Sequence, residues 1–234
     1  AISLLDGEVS GVISLDGGNG NMVIGKLEKS AEHILYEDND LLHLFDFVCR
    51  TEANYDGYTQ DEISNNPATS KAAAKCVKVY FDIGNDVVQD KGGSQGASNY
   101  LQSIFNQVAI LYADENMTVK ISQINAWTSR QPFSGLSDYS RYRESNGLSG
   151  ADLGHFVTYD FSGGVAYLNA VCRSNIRYAV SGIEKTFNNV PTYSFSVMVV
   201  AHEMGHNLGS NHTHACVWNG NNTAIDGCYN VEGS

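Results

Sequence analysis

An α/β fold built on a mostly parallel sheet is predicted by three observations. An alternating apolar run spans residues 77–83, a helical apolar period lies between 94 and 112, and a strand-like run follows at 119–127. Strand, helix, strand in that order makes a crossover unit whose two strands run parallel. In the first run, Val77, Val79, Phe81 and Ile83 alternate with other residues, as in a half-buried strand. In the helix, Tyr100, Leu101, Ile104, Phe105, Val108 and Tyr112 recur at spacings of three and four. A turn at Asp114-Glu115-Asn116 then leads into VKISQINAW.

Further along, residues 136–145 read as a polar helix, HFVTYDF (155–161) as a strand, and GVAYLNAVC (164–172) as a Gly-flanked segment. A final long helix runs from about Tyr193 to Leu208. Upstream of all this, VSGVISL, a DGG turn, MVIGKLE, HILYED and LLHLFDFV are short extended pieces, so residues 1–50 are expected to form a small β-rich region. Residues 51–74 are polar and lack an apolar period, which marks a connector, and residues 75–234 form the main domain.

The 234 residues carry 26 acidic against 14 basic side chains, a formal charge of −12. That balance argues against nucleic acid and anionic membranes as partners. No run approaches the roughly 20 apolar residues of a membrane span, and the opening AISLLDGEVSGVISL lacks the basic start and small-residue cleavage site of a signal peptide. Five cysteines, Cys49, Cys76, Cys172, Cys216 and Cys228, cannot all pair within the chain, and none sits in a CxxC motif. With few lysines and abundant Asn, Ser, Tyr and Gly, the chain is expected to be a secreted monomer with disulfides. Cys216 and Cys228 are close enough in sequence to staple one loop; Cys76 and Cys172 are left to pair together or outside the chain.

The chemistry is concentrated in H-E-M-G-H-N-L-G-S-N-H, residues 202–212, which matches HExxHxxGxxH at every fixed position. Chance alone gives such a match in on the order of one chain in ten thousand of this length. Residues four apart share a helix face, so His202 and His206 present two imidazoles to one Zn2+ ion. Glu203 stands one step along, where its carboxylate reaches a water at the metal as general base. Gly209 ends the helix by turning the chain, and His212 returns as a third ligand. Three histidines leave one position open, as in a catalytic zinc site. His33, His43, His155 and His214 are lone histidines and read as surface or core residues, with His214 the nearest competitor for the metal.

The eleven-residue motif resembles the metzincin signature of zinc metallopeptidases. GVAYLNAVC before it and HNLG within it are similar to the reprolysin or adamalysin branch, over roughly Lys75 to the end. The resemblance implies a twisted mixed sheet of zincin type beside the active-site helix, and an edge strand near Gly164–Leu168 that pairs with peptide substrates. It implies zinc-dependent hydrolysis of internal peptide bonds, with proteins or peptides as partners. Thr213 stands where many adamalysins have Asp, and no methionine follows Met204 to supply a methionine turn, so the catalytic domain is expected to be incomplete at its C-terminus. GEVSGVISL, VIGKLEKS and ILYEDNDL resemble the tail of a metalloprotease propeptide. In that setting Cys49 has three possible fates: a latency thiolate on the zinc, a disulfide, or a free thiol.

Overall fold

The strand Cys76–Ile83 lies inside the main sheet, between two parallel neighbours, and its second half is buried on both faces. In the computed structural model, which describes residues 1–14, 20–27, 30–41, 47–52, 76–185, 193–218 and 224–225, this strand is β5. Four strands precede it: β1 (Ile2–Leu5), β2 (Glu8–Ser14), β3 (Asn21–Lys26) and β4 (His33–Glu37), forming an antiparallel meander in that order. After β5 come α1 (Asn85–Asp90), α2 (Ser94–Asp114), β6 (Thr118–Ala126), α3 (Leu136–Asn146), β7 (Leu153–Thr158), β8 (Gly164–Ala166), β9 (Tyr178–Gly182) and α4 (Tyr193–Asn207).

The main sheet has the order β6-β5-β7-β9-β8, parallel throughout except for the antiparallel edge strand β8. The expected α/β class with a mixed, mostly parallel sheet is the observed one. Alternation along β5 sorts its side chains between two layers. Val79, Phe81 and Ile83 join Leu101, Ile104, Phe105 and Val108 of α2 and Val197, Val200 and Met204 of α4. Tyr80 joins Phe156, Tyr178, Val180 and Tyr139 of α3 on the opposite face. Each fully buried Leu, Ile or Phe contributes roughly 1.5–3 kcal/mol, so the first layer holds α4 firmly against the sheet and the second does the same for α3.

The opposite face also buries Asp82, whose carboxylate accepts from Arg143 Nε (2.7 Å), Trp127 Nε1 (2.8 Å) and Asn125 Nδ2 (2.8 Å). A charge this deep persists only when paired and hydrogen-bonded, and here the pairing ties α3 to β5 and to the end of β6.

The boundaries differ from the expected ones for visible reasons. β7 stops at Thr158 rather than Phe161 because the Tyr159 and Asp160 amides turn to the Asp86 carboxylate, at 2.5 and 3.1 Å. β1, α1 and β9 were not foreseen. The DGG turn, His43, nearly all of the connector and Cys228 lie outside the described residues. The four described cysteines, Cys49, Cys76, Cys172 and Cys216, are free thiols, so a Cys76–Cys172 disulfide is not formed.

The N-terminal meander packs on α2: Asn106 Nδ2 donates to Ser3 Oγ (3.0 Å), Val12 N to Gln107 Oε1 (3.4 Å), and Asn99 Nδ2 bonds Asp6.

Of the lone histidines, His33 accepts from Val9 N at the surface (3.0 Å), while His155 lies wholly inside, stacked on Phe81 with Nε2 2.8 Å from Ser181 Oγ. Burial presses His155 down to about 3. The unfolded chain takes up this proton near pH 6.5 and the folded chain does not, so stability is full above that pH and is lost as pH falls toward 3. Between pH 7 and 5 the metal-free wild type is expected to lose about 2 kcal/mol more than a His155→Gln variant, at roughly 1.4 kcal/mol per unit. Urea unfolding at the two pH values measures it; parallel pH slopes for the two chains would refute it.

Candidate metal centre

α4 carries the site because one face of it is apolar and the adjoining stripe is not. Val197, Val200 and Met204 anchor it in the core, and His202 and His206, four apart, emerge side by side, with their Nε2 atoms 2.9 Å apart. The helix ends in a Schellman turn: Ser210 N donates to Gly205 O and Gly209 N to His206 O, both at 2.9 Å. Gly209 has φ +105°, a conformation that a side chain makes costly, so the glycine is what lets the chain reverse here.

The reversal brings His212 back, its ring centroid 4.7 Å from that of His206 and 5.4 Å from that of His202. His212 is then held by its own carbonyl, which accepts from Trp218 Nε1 (2.6 Å) and Ala215 N (3.0 Å). The segment after β8 caps the same helix end: Asn169 N donates to His206 O (2.9 Å), Ala170 N to Asn207 O (2.7 Å), and Asn207 Nδ2 to Tyr167 O (2.8 Å) and Tyr178 O (3.0 Å). The GVAYLNAVC segment thus ties the helix to the sheet edge.

Cys49 completes the group. One ligand atom each from Cys49, His202, His206 and His212 lie within 4.8 Å of one another, the Cys49 Sγ being 3.4 Å from His206 Nε2. His214 stacks on His212 at 4.9 Å but is not one of the four. The donor set fits zinc, which takes nitrogen and sulfur ligands; in a tetrahedron these sit roughly 3.3–3.6 Å apart, the spacing of Cys49 Sγ and His206 Nε2, while the whole group lies within 4.8 Å. Tautomer and electrostatics agree with it. His206 Nδ1 donates to the Ser210 carbonyl (2.7 Å), which leaves Nε2 as the lone pair facing the group. Burial, then the neighbouring histidines, press His202 down to about 3, so its imidazole is neutral and able to ligate.

Glu203 is fully buried, and its side chain lies against Gly164 of β8. Thr51 Oγ1 lies 3.2 Å from Glu203 Oε2 and accepts from Ala166 N at 2.8 Å, while Oε1 has no hydrogen-bond partner. Burial pushes this carboxyl up to about 8, against the pull of hydrogen bonds from Cys49 and Thr51. Burial and then the Glu203 charge push the Cys49 thiol up to about 12. A divalent cation amid these groups reverses both tendencies, since it favours thiolate and carboxylate.

Gly164 makes room for Glu203: a Cβ there would lie 2.5 Å from Glu203 Cγ, far inside van der Waals contact. Gly164 was expected in the edge strand of the cleft but not against Glu203, and Thr51 was not expected at the site. The only sequence signal was the glycine opening GVAYLNAVC; Thr51 is 152 residues from Glu203.

Residues 47–52 lie along β8. Cys49 bridges Gly164 in the parallel sense, Gly164 N donates to Val48 O (3.1 Å), and Arg50 N to Gly164 O (2.9 Å). A three-layer fold with a parallel sheet, an antiparallel edge strand and a histidine cluster on the adjoining helix is that of a zincin-like metallopeptidase. Residues 73–230 match the family model Reprolysin_5, metallo-peptidase family M12, and the chain belongs to that family. Its members are metal-dependent peptidases, zinc being the typical metal. The chain is also similar to a solved structure, metalloproteinase-II from Bacteroides fragilis, at 14% identity and a TM-score of 0.40, with 98% of this chain and 81% of that chain covered.

Proposed function

We propose that this chain is a secreted, monomeric zinc endopeptidase of the metzincin, reprolysin-like branch, cleaving internal peptide bonds of proteins or peptides. The observation that carries the reading is the convergence of His202, His206 and His212 beside the buried Glu203 and the sheet edge β8. His202, His206 and His212 would hold the ion. When bound, zinc supplies a Lewis acid that polarises the scissile carbonyl and acidifies water. Glu203 takes the proton from the attacking water and delivers it to the leaving nitrogen, the task of a general base next to the histidine group. β8 pairs with the substrate main chain and holds the bond still during attack. A net charge of −12 speaks against nucleic acid and anionic membrane as partners.

A second feature belongs to this reading. Residues 1–50 act as a propeptide, residues 51–74 as its connector, and residues 75–234 as the catalytic part. Cys49 would keep the zymogen latent as a further ligand of the ion beside the three histidines. What supports this is the Cys49 thiol within the ligand group and the pairing of its flanks with β8.

The test is cleavage of a quenched peptide library by the Cys49→Ala chain, with zinc added and then chelated. Zinc-dependent cuts at internal bonds are expected. Release of terminal residues only, or cutting that survives chelation, would refute the reading. In the same assay Gly164→Ala is expected to lose about 100-fold in activity at unchanged zinc content, because the new methyl displaces the base by a fraction of its length. Activity within threefold of the parent would show that Glu203 tolerates the move.

A further inference from the structure

The chain carries its own cleft occupant, and one side chain of that occupant reports what the cleft wall recognises. Residues 48–51 are extended beside β8, so side chains alternate. Cys49 and Thr51 turn toward the histidines and Glu203. Arg50 turns the other way, onto the loop between β7 and β8. Its guanidinium carbon lies 4.9 Å over the Phe161 ring centroid, and Nη1 donates to the Ser162 carbonyl at 2.5 Å. An aromatic face and a backbone carbonyl are two of the groups that favour a cation and offer nothing to an anion.

A second observation points the same way. Phe161 and Ser162 also line a pocket of about 530 Å³ whose other lining residues include Asp160 and Glu184. Asp160 and Glu184 bring acidic character to this wall, and burial pushes the Glu184 carboxyl up. Lys185 Nζ lies 5.6 Å from the centroid of the neighbouring Tyr159 ring and offsets part of that field.

We infer that the Phe161 face and the Ser162 carbonyl form a subsite for a cationic side chain, so that this peptidase selects substrates with arginine or lysine next to the residue nearest the metal. The inference rests on the peptidase reading above for its substrate, but the subsite itself does not. Phe161 is the specificity-determining residue. Arg50 fills the subsite in the intact chain, which seats Cys49 as well.

Two measurements on the full chain test it. The first compares quenched peptides that carry Arg, Lys, norleucine or Glu at one position on either side of the cut, using the zinc-loaded Cys49→Ala chain. Arg and Lys are expected to exceed norleucine by about 10-fold in kcat/KM at one position, with Glu lowest. Adding Phe161→Ala is expected to abolish the preference, bringing the Arg to norleucine ratio of kcat/KM to about one. The second follows alkylation of Cys49 by peptide mass mapping, with Cys49 intact and zinc present. Arg50→Ala and Phe161→Ala are each expected to speed alkylation several-fold, while Arg50→Lys restores the wild-type rate.

Cleavage without preference for Arg or Lys overturns the inference. If no peptide is cut, the peptidase reading fails and alkylation decides the subsite: dependence on Phe161 with rescue by lysine upholds it, and equal rates in all variants overturn it.

Discussion

Glu203→Gln, made in the Cys49→Ala chain so that latency does not mask it, is expected to lower peptide cleavage by about 1,000-fold or more while zinc content stays unchanged. General base catalysis is worth roughly 10²–10⁴-fold, and here the base has no substitute among the grouped ligands, which are three histidines and a cysteine among the described residues. Glutamine has the volume of glutamate, and its amide oxygen can still accept from Thr51, so the packing against β8 is kept. The fold should not suffer either: Glu203 is fully buried, and replacing an ionisable group there with a neutral one removes a desolvation cost. The variant therefore separates chemistry from structure. Metal analysis and urea unfolding should match the parent, and only turnover should fall. Residual cleavage within tenfold of the parent would take the role of general base away from Glu203.

The order of the central elements was legible in the sequence because their periods are strong. Val77 to Ile83 alternate and α2 carries an apolar stripe over nearly six turns, so the crossover and the parallel pairing of β5 with β6 followed from local pattern. β9 was not legible because YAVSG is buried on both faces and therefore shows no alternation. α1, with six residues, is too short to show a helical period. The neighbouring positions of His202, His206 and His212 could be read because the helix and its glycine turn fix them within eleven residues. Thr51 and Arg50 could not, because each meets the site through chain pairing across more than a hundred residues, which leaves no local trace; Gly164 was legible as part of the cleft edge but not as the neighbour of Glu203, which depends on a missing Cβ.

Cys49→Ala is expected to raise the initial peptidase rate of the zinc-loaded full chain by about 100-fold. A thiolate held next to the ion by its own chain competes with substrate at an effective concentration in the millimolar range or above, and removing it removes that competition. The gain should stay below complete release, because the Val48, Arg50 and Thr51 contacts with β8 and Glu203 survive the substitution and still crowd the cleft. The same substitution should change how zinc binding responds to acid. Ligation needs the thiolate, and without metal burial holds the Cys49 thiol at about 12, so zinc uptake by the wild type must expel one more proton than uptake by the variant. Zinc affinity in the wild type should therefore fall more steeply as pH drops, by about one further tenfold per unit, and calorimetry in buffers of different ionisation heat counts the proton directly. Equal proton release from the two chains, together with equal peptidase rates, would place the Cys49 sulfur outside the coordination sphere and assign the short distance to His206 to packing alone.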